Sequence, residues 1–252
     1  MKKLILLCLL FVFSCATDAP EGKTEAEILY KEAQQLVEDG SYILALEKLN
    51  KLRSEHPYSF YATPAELLQA DIFFLQESYV EAAASYLLFR DLHPRHDKAD
   101  YVIYKIAESY YLQIPDTYDR DLNSALEAIK YYDEILQKYP SSEYAKDTQV
   151  KIDYCRNMLR QKERYIADFY FKTKVYEAAR YRYLEIIKAI NEEGLRKHSM
   201  VRAVESSLKM KDYEGCVKFS EEFVRYVTGK DKESIEGNKS ECAKELAKSN
   251  KG

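Results

Sequence analysis

The chain has no tryptophan, and its 252 residues include only seven glycines and six prolines. Tight turns draw on Gly and Pro, so this supply fits a helix-rich chain with few of them. Runs of alternating Val, Ile and Thr that would read as strands are missing, and so are Gly-x-Gly loops that cradle phosphates. No Cys-x-x-Cys clip is present, and no serine or cysteine sits in a recognisable nucleophile elbow, so no enzyme is expected. A cationic excess is absent too. The formal net charge is −4, and removal of residues 1–14 with Lys2 and Lys3 leaves 36 cationic against 42 acidic side chains, net −6. Broad binding to nucleic acid needs concentrated Lys and Arg, so none is expected.

What the chain does contain is a recurring interval. Ala45 is followed twelve residues on by Pro57, Ala82 by Pro94, and Ala128 by Pro140. A Tyr stands three residues before the small residue at Tyr42, Tyr79 and Tyr176, and Tyr213 opens the same pattern before Cys216. Self-similarity at this period marks stacked helix pairs. Leu29, Ala33, Leu36 and Val37 line one predicted helix, Gly40 breaks it, and Tyr42, Ala45, Leu46, Leu49 and Leu52 line the next, which stops before Pro57. The pair resembles the 34-residue tetratricopeptide repeat, with small residues where the helices cross and a bulky one behind them. The expected fold is all-α, a solenoid of about five such repeats.

The rhythm has irregularities. Residues 113–124, dense in turn formers, interrupt the third repeat as an inserted loop. The fourth has an unusually long first helix, about residues 142–171, and no closing Pro. The fifth, His198 to Val227, is degenerate, as terminal repeats are. Residues 229–252 read as a polar, frayed tail with at most a short helix around Cys242. The predicted layout is 1–14 signal, 15–24 tether, 25–141 repeats 1–3 facing substrate, 142–228 repeats 4–5 docking a partner, and 229–252 tail.

The N-terminus carries a different signal. Lys2 and Lys3 precede a ten-residue apolar run from Leu4 to Phe13. A membrane-spanning helix needs about 20 such residues, whereas a secretory signal has this size. Val12-Phe13-Ser14-Cys15 then resembles the bacterial lipobox, in which the Cys becomes the first mature residue and carries acyl and diacylglycerol chains. No other cofactor and no metal are expected. Ala16 is not the Asp associated with retention in the inner membrane, which favours the outer one. Cys155, Cys216 and Cys242 form an odd, widely spaced set. A disulfide is open to an exported chain, but burial of Cys216 at a small-residue position is the expectation.

Solenoids of this type bind along the face built from first helices. The positions expected to be exposed there are Tyr30, Gln34 and Val37, then Leu67, Asp71 and Phe74, then Tyr104, Glu108 and Tyr111. Interleaved aromatic and polar side chains suit an extended peptide with aromatic residues. His93, His96 and Asp97 beside Pro94 read as a solvated turn rather than a metal cluster, and Glu192 and Glu193 as solvated loop acids.

Segments between the repeat positions resemble the BamD family of outer-membrane assembly lipoproteins. These are Pro57-Tyr58-Ser59-Phe60-Tyr61-Ala62, His93-Pro94-Arg95-His96 leading to Tyr101-Val102-Ile103-Tyr104, Arg120-Asp121, the run from Tyr139 to Asp147, and Glu163 to Tyr170 with Tyr176 to Arg182. The resemblance implies a non-enzymatic periplasmic adaptor, lipid-anchored to the outer membrane through Cys15, in the machinery that folds and inserts β-barrel proteins. It implies that N-terminal repeats receive the aromatic-ended C-termini of unfolded barrel proteins. It also implies that C-terminal repeats dock on the periplasmic domains of the barrel subunit through Arg182, with accessory lipoproteins attending. Lys174 stands where the family often has Gly. The alternative is a tetratricopeptide lipoprotein that scaffolds another cell-envelope or peptidoglycan complex.

Overall fold

The computed structural model describes residues 22–249, so Cys15, the signal segment and most of the tether lie outside the described residues. Eleven α-helices and two short 3-10 turns make up the described secondary structure, with no strand among the described residues. The chain gathers into two compact units, one ending at Phe89 and one beginning at Arg90. The all-α, tetratricopeptide-type fold read from the sequence is what forms.

The first unit contains α1 (Glu25–Glu38), α2 (Tyr42–Glu55) and α3 (Ala62–Leu75), with most of α4 (Tyr79–Leu92), which runs on across the boundary. Thr24 caps α1 by accepting the Glu27 N–H through its side chain, meeting an otherwise orphaned donor. Ala33 and Ala45 are fully buried, and with Leu49, Leu52 and Ile72 they form this unit's core. Small side chains at 33 and 45 let the two backbones close up, as their spacing predicted.

The second unit holds α5 (Ala99–Tyr111), α6 (Asn123–Lys138), a 3-10 turn (Glu143–Ala145), α7 (Thr148–Lys172), α8 (Tyr176–Ala189), α9 (Glu193–Lys209), α10 (Tyr213–Phe223), a second 3-10 turn (Val224–Tyr226) and α11 (Gly229–Ser249). The long helix of the fourth repeat begins at Thr148 rather than near residue 142, because the 3-10 turn takes up the intervening chain. Ala107, Ala128, Ala167 and Ala179 are all fully buried. Glu192 is exposed, as expected of a solvated acid, and its carboxylate also caps α9, accepting the Gly194 and Leu195 N–H groups.

Two turn types recur. Gly40, Glu77, Lys174 and Lys211 all have positive φ, between 59° and 72°, and each lies two residues before the Tyr that opens a second helix. At each, the next N–H reaches back five residues: Ser41 to Leu36, Ser78 to Phe73, Val175 to Tyr170 and Asp212 to Ser207, at 2.7–3.0 Å. This is the Schellman closure, which glycine serves without strain and the other three residues do not. Between repeats, N–H groups of Ser59, His96 and Ser142 each bond the carbonyl three residues earlier, at 3.0–3.1 Å, beside Pro57, Pro94 and Pro140. His93 and His96 thus belong to a structural turn, and the His96 ring accepts the Lys98 N–H at 3.1 Å.

The C-terminal segment departs from expectation. Residues 229–249 form a 21-residue helix with Ile235 and Cys242 fully buried. Cys242 is joined to Cys216 of α10 by a disulfide, across a Cα–Cα distance of 6.2 Å. Burial of Cys216 holds as expected; the bridge was not foreseen. Two buried residues seven apart are too thin an apolar stripe to stand out in so polar a segment. Cys155 remains a free, fully buried thiol whose pKa burial pushes up to about 11.

Candidate functional site

Three repeats set a tyrosine of the second helix behind the first: Tyr86, Tyr132 and Tyr183, all fully buried. Each donates its hydroxyl to a carboxylate on the first helix: Tyr86 to Asp71 at 2.6 Å, Tyr183 to Asp168 at 2.7 Å, and Tyr132 to Glu108. The sequence separation is 15 in the first two and 24 in the third, so the inserted loop adds nine residues without disturbing the pairing. Burial, then the neighbouring carboxylates, hold the Tyr132 and Tyr183 phenols far above the ordinary tyrosine range. These hydroxyls stay protonated donors and satisfy the acids that the helices carry inward.

In the first unit, Tyr30 is half-buried, tilted against Tyr61 with ring centroids 5.6 Å apart. Gln34 is exposed and Val37 half-buried. Phe74 is half-buried, edge-on to Tyr79 at 5.5 Å. Asp71 is held by Tyr86. Leu67 is not exposed as expected; it is only 5% accessible. α3 also buries Ala62, Ala65, Ala70 and Ile72, so core positions extend around more of its surface than one face.

In the second unit, Tyr104, Glu108 and Tyr111 come together, but around a side chain that sequence reasoning missed. Lys151 of α7 donates to the Tyr104 hydroxyl at 3.1 Å and to Glu108, and its ammonium lies 5.2, 5.5 and 5.9 Å from the ring centres of Tyr104, Tyr111 and Tyr132. Three aromatic faces and one carboxylate form a cation-binding cage, filled by the chain's own lysine. Burial alone would lower the Lys151 pKa, yet its bonds to Glu108 and Tyr104 raise it above the ordinary lysine value. Tyr144 stacks on Tyr104 at 4.8 Å. The expected open aromatic face is here a closed joint between α5, α6 and α7. Lys151 lies 43 residues beyond Glu108, so no local pattern pointed to it.

Further along, Asp168 gathers α7, α8 and α9. It accepts from Tyr183 and lies 2.8 Å from His198 Nε2 and 3.5 Å from Arg164. Burial by itself would raise its pKa, but hydrogen bonds from His198 and Tyr183 with the nearby Arg164 charge bring it down to about 2. Arg182, on the outer side of α8, is 40% accessible, and its guanidinium stands 3.7 Å from Glu163, a loose pair. The neighbouring Arg180 instead turns inward to Ser207 and Asp212. The inserted loop is pinned where the Arg120 carbonyl accepts from Lys162 at 2.8 Å and Tyr118 meets Tyr165 edge-on.

The family model described as "YfiO: Outer membrane lipoprotein" matches residues 22–214. The chain belongs to this family. It is 31% identical over 192 residues to the outer membrane protein assembly factor BamD of Rickettsia prowazekii, covering 76% of each chain. It is 29% identical over 207 residues to BamD of Vibrio cholerae, covering 78% of this chain and 86% of that one. Among solved structures, the TPR2AB-domain:pHSP90-complex of yeast Sti1 resembles it at a TM-score of 0.45 and 13% identity, over 89% of this chain and 85% of that one. The chain is thus a BamD-like member of the outer-membrane assembly factors. The matched span runs from the first described residue to the start of α10, and so takes in the tyrosine–carboxylate pairs and Arg182.

Proposed function

We propose that the protein is a non-enzymatic adaptor of the β-barrel assembly machinery, held on the periplasmic side of the outer membrane by acyl chains on Cys15. Arg182 docks it on an acidic side chain in the periplasmic domains of the barrel subunit, and accessory lipoproteins share the assembly. The supporting observation is that Arg182 is accessible and only loosely engaged, within a span that matches the family. An accessible guanidinium suits a bidentate carboxylate, and exchanging Glu163 for a partner's acid costs little. The segment-binding surface narrows to Tyr30, Gln34, Val37 and Phe74, because Lys151 already fills the cage of Tyr104, Glu108 and Tyr111 and Leu67 is core. Aromatic-ended termini of unfolded barrel proteins are the cargo that such a surface fits.

Arg182→Glu should weaken capture of the barrel subunit about tenfold or more in a pull-down, since it sets like charges against each other. The circular dichroism should not change. Undiminished capture would sink the docking assignment.

A further inference from the structure

The turn between α2 and α3 carries two aromatic side chains that the first unit leaves uncovered. Tyr58 is 100% accessible and Phe60 85%. The turn is nonetheless ordered by its own bonds. The Ser59 N–H donates to the His56 carbonyl and the Ala62 N–H to the Ser59 carbonyl, both at 3.1 Å. Phe60 stands edge-on to Tyr61 with centroids 5.7 Å apart, and Tyr61 in turn packs on Tyr30. A backbone held by its own bonds before a partner arrives leaves less ordering to be done on contact.

What lies beside this turn identifies the partner. Glu25, the first residue of α1, reaches Lys51 at 3.2 Å and His56 at 3.5 Å. The chain therefore enters the fold at the end of the helix pair where Tyr58 and Phe60 protrude. Residues 16–24, between Cys15 and α1, span at most about 30 Å when fully extended. A 14-residue helix is about 21 Å long, so the Gly40 end of the same pair stands well away from that entry. Residues 56–62 include no acidic side chain, so the turn itself offers nothing that an anionic leaflet would repel. Among the described residues no helix is long and apolar enough to cross a membrane, so any lipid contact made here is interfacial.

We propose that Tyr58 and Phe60 form a foot that enters the headgroup region of the leaflet to which the chain is tethered. The proposal rests on the reading of Cys15 as the acylated residue. Aromatic side chains settle at the membrane–water boundary, where an apolar face sinks about 5–10 Å. A single point of attachment sets no orientation. A second contact at the tether's exit fixes which end of the first repeat faces the lipid.

The absence of tryptophan makes the test direct. Phe60→Trp places the sole indole at the tip of the turn, and Ile43→Trp, at a position 71% accessible near the opposite end of α2, places it away from the tether. Each full-length, acylated variant is reconstituted on phosphatidylethanolamine–phosphatidylglycerol vesicles, with and without brominated acyl chains. Flotation and circular dichroism establish attachment and folding. The expected result is that both variants float, that Phe60→Trp emission shifts to the blue and loses most of its intensity to the brominated lipid, and that Ile43→Trp emission does neither. A floating Phe60→Trp protein with unquenched emission overturns the foot while leaving the anchor intact. Equal quenching of both variants overturns it as unspecific adsorption. Failure to float overturns the anchor and the foot with it.

Discussion

Replacing Cys216 and Cys242 together by Ala should destabilise the second unit in a way that can be worked from the loop they close. The bond joins residues 26 apart, and the loss of loop-closure entropy in the unfolded chain gives about 3.5 kcal/mol at 25 °C. That is a few hundredfold in the folding equilibrium. Alanine is the appropriate replacement because Cys216 occupies the position that Ala45, Ala82, Ala128 and Ala179 fill, each fully buried. The substitution therefore leaves no overpacked or polar group behind. Urea unfolding followed by circular dichroism would compare the oxidised protein, the same protein under thiol reductant, and the double variant. The reduced protein and the variant should coincide, both well below the oxidised form. Hydrogen exchange should quicken first in α11, which depends on few buried residues besides the bond, Ile235 foremost. A difference under about 1 kcal/mol, or unchanged exchange in α11, would refute the view that the bridge rather than packing holds this helix.

Other consequences are equally direct. Asp168 has a folded pKa of about 2, below its unfolded value, so its contribution is present above about pH 4 and is lost as pH falls toward 2; Asp168→Asn should cost about 2 kcal/mol at pH 7 and flatten the acid limb of a pH–stability profile. Lys174 has φ +64°, so Lys174→Gly should raise stability by about 0.5–1 kcal/mol and Lys174→Val should lower it, as read from melting midpoints. Lys151→Met strands Glu108 among three rings and should cost about 2 kcal/mol, while adding Glu108→Gln should restore part of that loss in a double-mutant cycle.

The helix pairs were legible because two physical requirements recur at fixed spacing: a small residue where helices cross, and Pro after the helix that must stop. Ala45 with Pro57 and Ala82 with Pro94 needed nothing from elsewhere in the chain. The inserted loop was legible from the turn formers crowded into residues 113–124. Partnerships across repeats were not. Glu108 read as an exposed groove acid because Lys151, its counter-ion, sits on a different helix, and Leu67 read as exposed because a period of 3.6 cannot tell how much of a helix's circumference is covered. The α11 helix was hidden by its polarity, since only Ile235 and Cys242 are fully buried. One signal was available and unused. A carboxylate stands 15 residues before both Tyr86 and Tyr183, a spacing that marks the acids as internal partners rather than ligands.

The burial of Cys155 bears on how the other two cysteines find each other. Three thiols in one folded unit allow three pairings, and oxidation rewards whichever forms first. Disulfide exchange is carried by thiolate. A thiol held at about 11 carries almost none at neutral pH, and its enclosure in α7 keeps an attacking sulfur out. Cys155 also precedes both partners in the chain, so α5, α6 and the first half of α7 can close over it before Cys216 and Cys242 have been delivered. The odd cysteine is thereby removed from the competition, and the single bond that remains has only one way to form.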